Sequence, residues 1–480
     1  MRQVDDLGMM YLAAENNRVS THTAALITFD PSALPGGRLT AGRLRDLVQE
    51  RLPLIPAFRR RLVRVPFGLD RPYWTETDCD LSYHLREIAL PEPGDDEILR
   101  EQVARIFSRR LDRSRPLWEM YLIQGLANGR AAVLTKVHHA VADGLAGAEI
   151  VATLTDPAPQ PRTPAAATTP VPATPPSRPS SPSMLWRGLT GIVRQPLRAA
   201  AGIPSMLSGV DELPVFGTMP GVRLVGAGLA LVRREHRHRA PVQAPRTSFN
   251  RQISPHRRIG IATVGFDQVR SVKNRFQVSV NDVVMAIAAG ALRRWLLDHE
   301  ELPRRPLTAV VPVSLRAGRS TAFGNDLSAV VVPIPTDVDE PVARLIAARA
   351  AMLTALRDLG STAPDALADT LRMVPPVLVV RTTQLLTRLN TWAPRTPAMN
   401  VNISNVPGPR EPLYLAGAEV ESIVPLAGIT DGLGLNITVM SYCGNIHIGV
   451  VADRDQVPDV QRLADLMAEE LTVLVGAAVR

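Results

Sequence analysis

The stretch AAVLTKVHHAVADG, Ala131 to Gly144, decides how the rest of the chain is read. Its first seven residues are an apolar run of strand length, and its last seven place two histidines, an aspartate and a glycine at fixed spacing before a helical stretch. In a strand, consecutive side chains point to opposite faces, so only one of His138 and His139 can face a given site and the other has to be structural. An imidazole titrates near neutrality, so a histidine at a strand end can take a proton from an alcohol and return it to a leaving group. No activated nucleophile accompanies the pair: the chain has no Gly-x-Ser-x-Gly elbow, and neither cysteine is placed to pair with a histidine. Asp143 reads as a cap for the following helix, as one half of a buried ion pair or as a group that orients the imidazole. Gly144 permits tight backbone geometry at the turn into that helix. His139 and Asp143 have the spacing of two metal ligands, but no third is evident, so no metal is expected.

Hydrophobic periodicity elsewhere in the first half predicts helices over Gly42–Leu52, Asp95–Leu111 and Asp143–Leu154, and strands over Ala24–Phe29, Met120–Gln124 and Ala131–Val137. The second half predicts strands over Ile259–Val264, Leu307–Val313 and Ser328–Ile334, and helices over Val280–His299, Pro341–Asp358 and Pro458–Ala478. Between Gly432 and Ala452 apolar and polar residues alternate on both sides of Gly444-Asn445, which reads as a hairpin rather than a membrane span. Strands and helices do not alternate regularly, so an α+β architecture is expected instead of a doubly wound parallel sheet.

A chain of 480 residues is long enough for two cores. Ten prolines lie among small polar residues between Pro157 and Pro182, a composition that cannot bury enough apolar surface to order itself. The expected organisation is an N-terminal domain over 1–155, a flexible linker over 156–183, a connecting segment over 184–245 and a C-terminal domain over 246–480. In the connecting segment, apolar runs such as Leu224–Val232 lead into Arg233, Arg234, Arg237 and Arg239. That pattern suits either a solvated linker helix or contact with anionic lipid, and we expect residues 184–239 to govern membrane or lipid-droplet attachment.

Lys and Arg number 54 and Asp and Glu 46, so the net charge of +8 favours anionic partners. Aromatics are only 4%, without a nucleic-acid-binding signature, which argues against nucleic acid. Cys79 and Cys443 stand far apart, so no disulfide framework or zinc site is expected. The Met1–Glu15 segment lacks the basic start and long apolar core of a signal peptide, which predicts a cytoplasmic protein.

The histidine motif resembles that of the chloramphenicol-acetyltransferase-like superfamily. Further pieces, in order along the chain, resemble the bacterial wax ester synthase/diacylglycerol acyltransferase family: Pro116-Leu117-Trp118, Asn281-Asp282, Pro312 to Arg316, Gly324-Asn325 and Ser404 to Pro409. The resemblance implies two chloramphenicol-acetyltransferase-like domains, each a mixed sheet with packed helices, and a tunnel between them. It implies transfer of a long fatty acyl group from acyl-CoA to diacylglycerol or a fatty alcohol. Acyl-CoA would be a substrate and no cofactor is needed. His139 would be the base, His138 its support, and Asp143 structural and paired with Arg316, while Asn281 and Asp282 would shape the channel. Each piece also has a plainer reading: Pro116 and Trp118 as core packing, Asn281 as a helix cap, and Ser404–Pro409 as a rigid turn. The rival readings are a condensation-type enzyme with a carrier-protein donor and a catalytically silent lipid-binding protein of the same fold.

Overall fold

The computed structural model of the chain describes residues 2–66, 70–141, 144–160, 244–314, 327–361, 397 and 399–479. Asp143, Arg316, Gly324-Asn325 and the 184–239 segment lie outside the described residues, as does nearly all of the 156–183 linker.

The first half runs β1 (Arg2–Gln3), α1 (Asp6–Ala14), β2 (His22–Asp30), α2 (Ala41–Arg51), β3 (Arg60–Val63) and β4 (Tyr73–Glu76). It continues with α3 (Leu81–His84), β5 (Leu85–Ala89), α4 (Asp96–Ser108), β6 (Trp118–Gln124), β7 (Ala131–His138) and α5 (Gly144–Leu154). The second half opens with β8 (Arg257–Gly265), α6 (Phe266–Phe276), α7 (Val280–Asp298), β9 (Leu307–Ser314), β10 (Leu327–Ile334) and α8 (Pro341–Ser361). It closes with β11 (Val401–Val406), β12 (Tyr414–Leu415), β13 (Ala418–Ala427), β14 (Leu435–Tyr442), β15 (Asn445–Asp453) and α9 (Val460–Val479). Among the described residues no helix is long and apolar enough to cross a membrane.

Among the described residues two six-stranded sheets result, β12-β13-β2-β7-β6-β5 and β10-β9-β11-β14-β15-β8, with a small third sheet of order β1-β4-β3. Both large sheets are mixed: β5 runs parallel to β6, and β11 runs parallel to both β9 and β14, while the other pairs are antiparallel. Sheet membership does not follow the halves of the chain. The late strand β13 pairs antiparallel with the early strand β2, Val424 opposite Leu26, so residues 414–427 complete the first sheet. A division at residue 246 therefore separates sequence halves but not sheets. Asp156, the first residue of the expected linker, is still inside the fold, its carboxylate 2.8 Å from the Arg51 guanidinium and both side chains buried.

The second sheet carries α7, α8 and α9 on one face, closing a core of Ile287, Leu292, Ile437, Val450 and Leu463. A second core joins the two sheets: Leu26, Leu134, Val424 and Leu426 of the first pack with Ile259 and Val451 of the second, around Phe107 of α4. The contact is tight at Gly449, where an added Cβ would overlap the Pro425 carbonyl oxygen. Gly449→Ala must push β15 away from β13, and overpacking of that kind costs about 1–3 kcal/mol. A lowered apparent melting temperature is the expected result, checked by calorimetry.

Local signals explain the helix starts. The Asp95 carboxylate accepts from the Ile98 N–H at 2.9 Å, and Asp96 and Glu97 follow in the first turn, where the helix dipole favours negative charge. The final hairpin forms as expected, but its turn is Cys443-Gly444 and not Gly444-Asn445. Both turn residues have positive φ, 42° and 78°, the geometry of a two-residue hairpin loop, and Asn445 already pairs with Tyr442.

Candidate active site

β7 is buried along its whole length and ends on His138, which stands opposite His22 of β2. His139 follows the strand, and its backbone N–H donates to the Thr21 carbonyl at 3.0 Å, so the β2–β7 pairing reaches one residue further.

The two rings have different surroundings, as the strand pleat requires. His138 is fully buried. Its Nδ1 accepts from the Ala140 N–H at 2.9 Å, while its Nε2 lies 3.2 Å from Thr21 Oγ1 and 3.4 Å from Glu15 Oε1. Thr21 gives its hydroxyl proton to the Tyr11 carbonyl at 3.0 Å, which leaves its oxygen as an acceptor for His138. The neutral imidazole with its proton on Nε2 satisfies all these contacts. Both ring nitrogens of His138 are thus engaged within the protein.

His139 is half-buried and stacks on the Tyr11 ring, centroids 4.8 Å apart and planes 18° from parallel. Its Nδ1 is enclosed and has no hydrogen-bond partner among the described residues. Burial, then the neighbouring His138, pull its pKa down to about 4, because a charged imidazole there would lose its hydration. At neutral pH this ring is uncharged and able to take a proton.

Glu15, at the end of α1, is a site residue that the sequence reading missed. Its buried carboxylate takes two hydrogen bonds from Arg113, at 2.7 and 3.0 Å on Oε2, and one from the Thr21 N–H at 3.2 Å on Oε1. Burial alone would raise its pKa, but His138 and Arg113 outweigh it and hold the carboxyl well below the usual carboxylate range. The signal was present in Asp5, which caps α1 by accepting from the Gly8 N–H, followed by the apolar run Met9 to Leu12.

The other expected residues fall in several places. Gly144 starts α5, which touches β11 of the second sheet, so the motif's helix spans the boundary between the sheets. Pro116 and Trp118 are core residues: Trp118 is sandwiched between Phe58 and His84, at 4.0 and 4.5 Å, and its indole N–H donates to the Phe58 carbonyl at 3.0 Å. The cap of α7 is Ser279, not Asn281, and Asp282 closes a reciprocal capping box by accepting from the Ser279 N–H at 2.8 Å. The hydrogen bonds of Asp282 thus close on its own helix end and not on the histidine pair. Of Ser404–Pro409, the first three residues belong to β11, with Ser404 opposite Thr438, and the strand ends at Val406. Among the described residues no three His, Cys, Asp or Glu side chains converge to hold a metal ion.

The fold of two mixed sheets is shared with known proteins. The sequence profile of the wax ester synthase/diacylglycerol acyltransferase catalytic domain matches residues 4–284, and that of the WS/DGAT C-terminal domain matches residues 323–474. The chain belongs to the wax ester synthase/diacylglycerol acyltransferase family. It is an acyltransferase of that family. Two Mycobacterium tuberculosis proteins, both assigned provisionally by name as diacylglycerol O-acyltransferases, are similar throughout. One is 33% identical over 99% of this chain and 90% of its own length, the other 36% identical over 98% of each. The wax ester synthase/diacylglycerol acyltransferase from Marinobacter aquaeolei VT8 superposes with a TM-score of 0.71 at 27% identity, over 100% of both chains. A trichothecene 15-O-acetyltransferase from Fusarium sporotrichioides shares the fold alone, with a TM-score of 0.55 at 13% identity over 98% of this chain and 94% of that one. The fold class is that expected from the sequence, α+β with two chloramphenicol-acetyltransferase-like domains.

Proposed function

We propose that the protein moves a long-chain fatty acyl group from acyl-CoA to diacylglycerol, a fatty alcohol or both, with His139 as general base and no covalent acyl-enzyme. The observation that carries this reading is the contrast within the histidine pair: His138 has both ring nitrogens engaged, while His139 is held neutral and has only Nδ1 enclosed. Nε2 is the nitrogen left for an incoming hydroxyl. The names carried by the mycobacterial relatives and the Marinobacter enzyme support diacylglycerol and fatty alcohols as acceptors.

In the proposed reaction His139 removes the proton from the acceptor hydroxyl as that oxygen attacks the thioester carbonyl. The new C–O bond leaves a tetrahedral oxyanion, which collapses with cleavage of the C–S bond. The imidazolium returns its proton to the CoA thiolate, giving ester and free thiol. Acyl-CoA enters as a substrate and no cofactor takes part. In this proposal the acyl chain occupies a tunnel between the two domains. The net positive charge suits the CoA phosphates and peripheral association, from the cytoplasm, with a membrane or lipid-droplet surface.

Purified protein given labelled palmitoyl-CoA, or the same acyl group on a carrier protein, tests the donor. Ester formation with diacylglycerol or hexadecanol from the free CoA thioester is expected. Esters from the carrier-bound donor alone would favour a condensation-type enzyme, and no ester from either would favour a silent lipid-binding protein.

The depressed pKa of His139 gives the pH profile a definite sign. The base must be neutral, and it becomes half protonated only near pH 4. The rate is therefore expected to stay level from about pH 8 down to about pH 6 and to fall towards pH 4, below the ordinary histidine midpoint of about 6.5. Initial rates, with circular dichroism to confirm folding at each pH, check this; an acid limb centred on 6.5 would contradict it.

A further inference from the structure

We infer that Glu15 is a positioning residue for the acyl transfer, holding His139 in place from both sides without touching the reactants. The inference rests on His139 being the base. The two oxygens of the Glu15 carboxylate divide their contacts. Oε2 takes both hydrogen bonds from Arg113 and lies 3.7 Å from Arg110, which fixes the carboxylate and supplies its counter-charge. Oε1 turns to the strand ends that carry the site, accepting the Thr21 N–H and facing the His138 Nε2.

From Oε1 two short paths reach His139. One passes through the Thr21 residue, whose carbonyl accepts the His139 N–H. The other passes through the His138 ring, whose Nδ1 accepts the Ala140 N–H, so the residues on either side of His139 are pinned. The helix that presents Glu15 also supplies Tyr11, which stacks on the His139 ring and accepts the Thr21 hydroxyl proton at its carbonyl. A buried carboxylate is costly unless paired, and this one is paired on one oxygen and spends the other on the backbone around the base.

Glu15→Gln keeps the shape and changes the logic. If the amide oxygen meets the arginines, its NH2 group faces the Thr21 N–H and the proton on His138 Nε2, donor against donor. If it faces the strand, the NH2 meets Arg113. His138 can relieve the first clash only by moving its proton to Nδ1, which then opposes the Ala140 N–H.

The test is a double-mutant cycle in the full-length protein, with labelled palmitoyl-CoA and diacylglycerol as substrates. Glu15→Gln is expected to lower kcat by roughly a hundredfold, the scale for a base displaced by about 1 Å, with both KM values within about twofold. In a His139→Ala background the same change should cost nothing further, because there is no base left to position. Selective 15N labelling of histidine should show a proton on Nε2 of His138 in the parent and a changed tautomer in Glu15→Gln. A purely structural Glu15 would cost the same factor in both backgrounds, and that result, or parental turnover in folded Glu15→Gln, would overturn the inference. Should Glu15→Gln fail to fold, Glu15→Asp keeps the charge but withdraws it from the strand and carries the same expectation. Near-native turnover in His139→Ala would instead remove the underlying reading of the base, so the two failures are distinct.

Discussion

His139→Ala is expected to lower turnover by about two to four orders of magnitude, the usual worth of a positioned general base. The melting temperature should stay close to that of the parent, and this separation of rate from stability makes the result diagnostic. The Nδ1 of the ring has no hydrogen-bond partner among the described residues, so what the variant loses is the stacking on Tyr11. Such a ring pair is worth about 0.5–1.5 kcal/mol, against roughly 3–5 kcal/mol for the rate. Turnover and thermal unfolding measured on the same preparation decide it. A folded variant with near-native turnover would mean that some other group takes the acceptor proton.

Trp118→Ala should give the opposite pattern, a large stability loss with a much smaller change in turnover per folded molecule. The indole is 1% exposed, stacked between Phe58 and His84, and bonded through its N–H to the Phe58 carbonyl. Removing a large aromatic from a packed core costs about 3–5 kcal/mol, because the neighbouring rings cannot collapse into the space. Here the Phe58 carbonyl would also lose its donor. Denaturant titration of parent and variant measures the cost, and a loss below about 1 kcal/mol would show that the sandwich repacks.

The elements that carry the site were legible because their periodicity is local. The apolar run Ala131–Val137 became β7 with one further residue, and the helix expected over Val280–His299 ends at Asp298. The different surroundings of the two histidine rings also follow from the strand pleat. Sheet membership was not legible. The pairing of β13 with β2 joins residues some four hundred positions apart, and nothing in the pattern of Ala418–Ala427 tells which sheet it will complete. α1 is the element that a comparison of Met1–Glu15 with an export signal does not reveal, although Asp5 and the following apolar run are a helix start. With α1 went Tyr11 and Glu15, whose importance depends on Thr21, Arg113 and His138 meeting them in space. The turn at Cys443-Gly444 slipped by one residue because Asn445 has turn chemistry of its own, and only the strand register decides between them.

The proposed reaction is a direct transfer from acyl-CoA to an alcohol on a neutral His139, within one complex that holds both substrates. Initial rates over a matrix of palmitoyl-CoA and diacylglycerol concentrations, with the protein recovered afterwards to look for bound acyl label, test it most directly. Intersecting double-reciprocal lines and unlabelled protein are the predicted result. Parallel lines with acyl label on the protein would contradict it, because they report a covalent intermediate that the proposed chemistry does not contain.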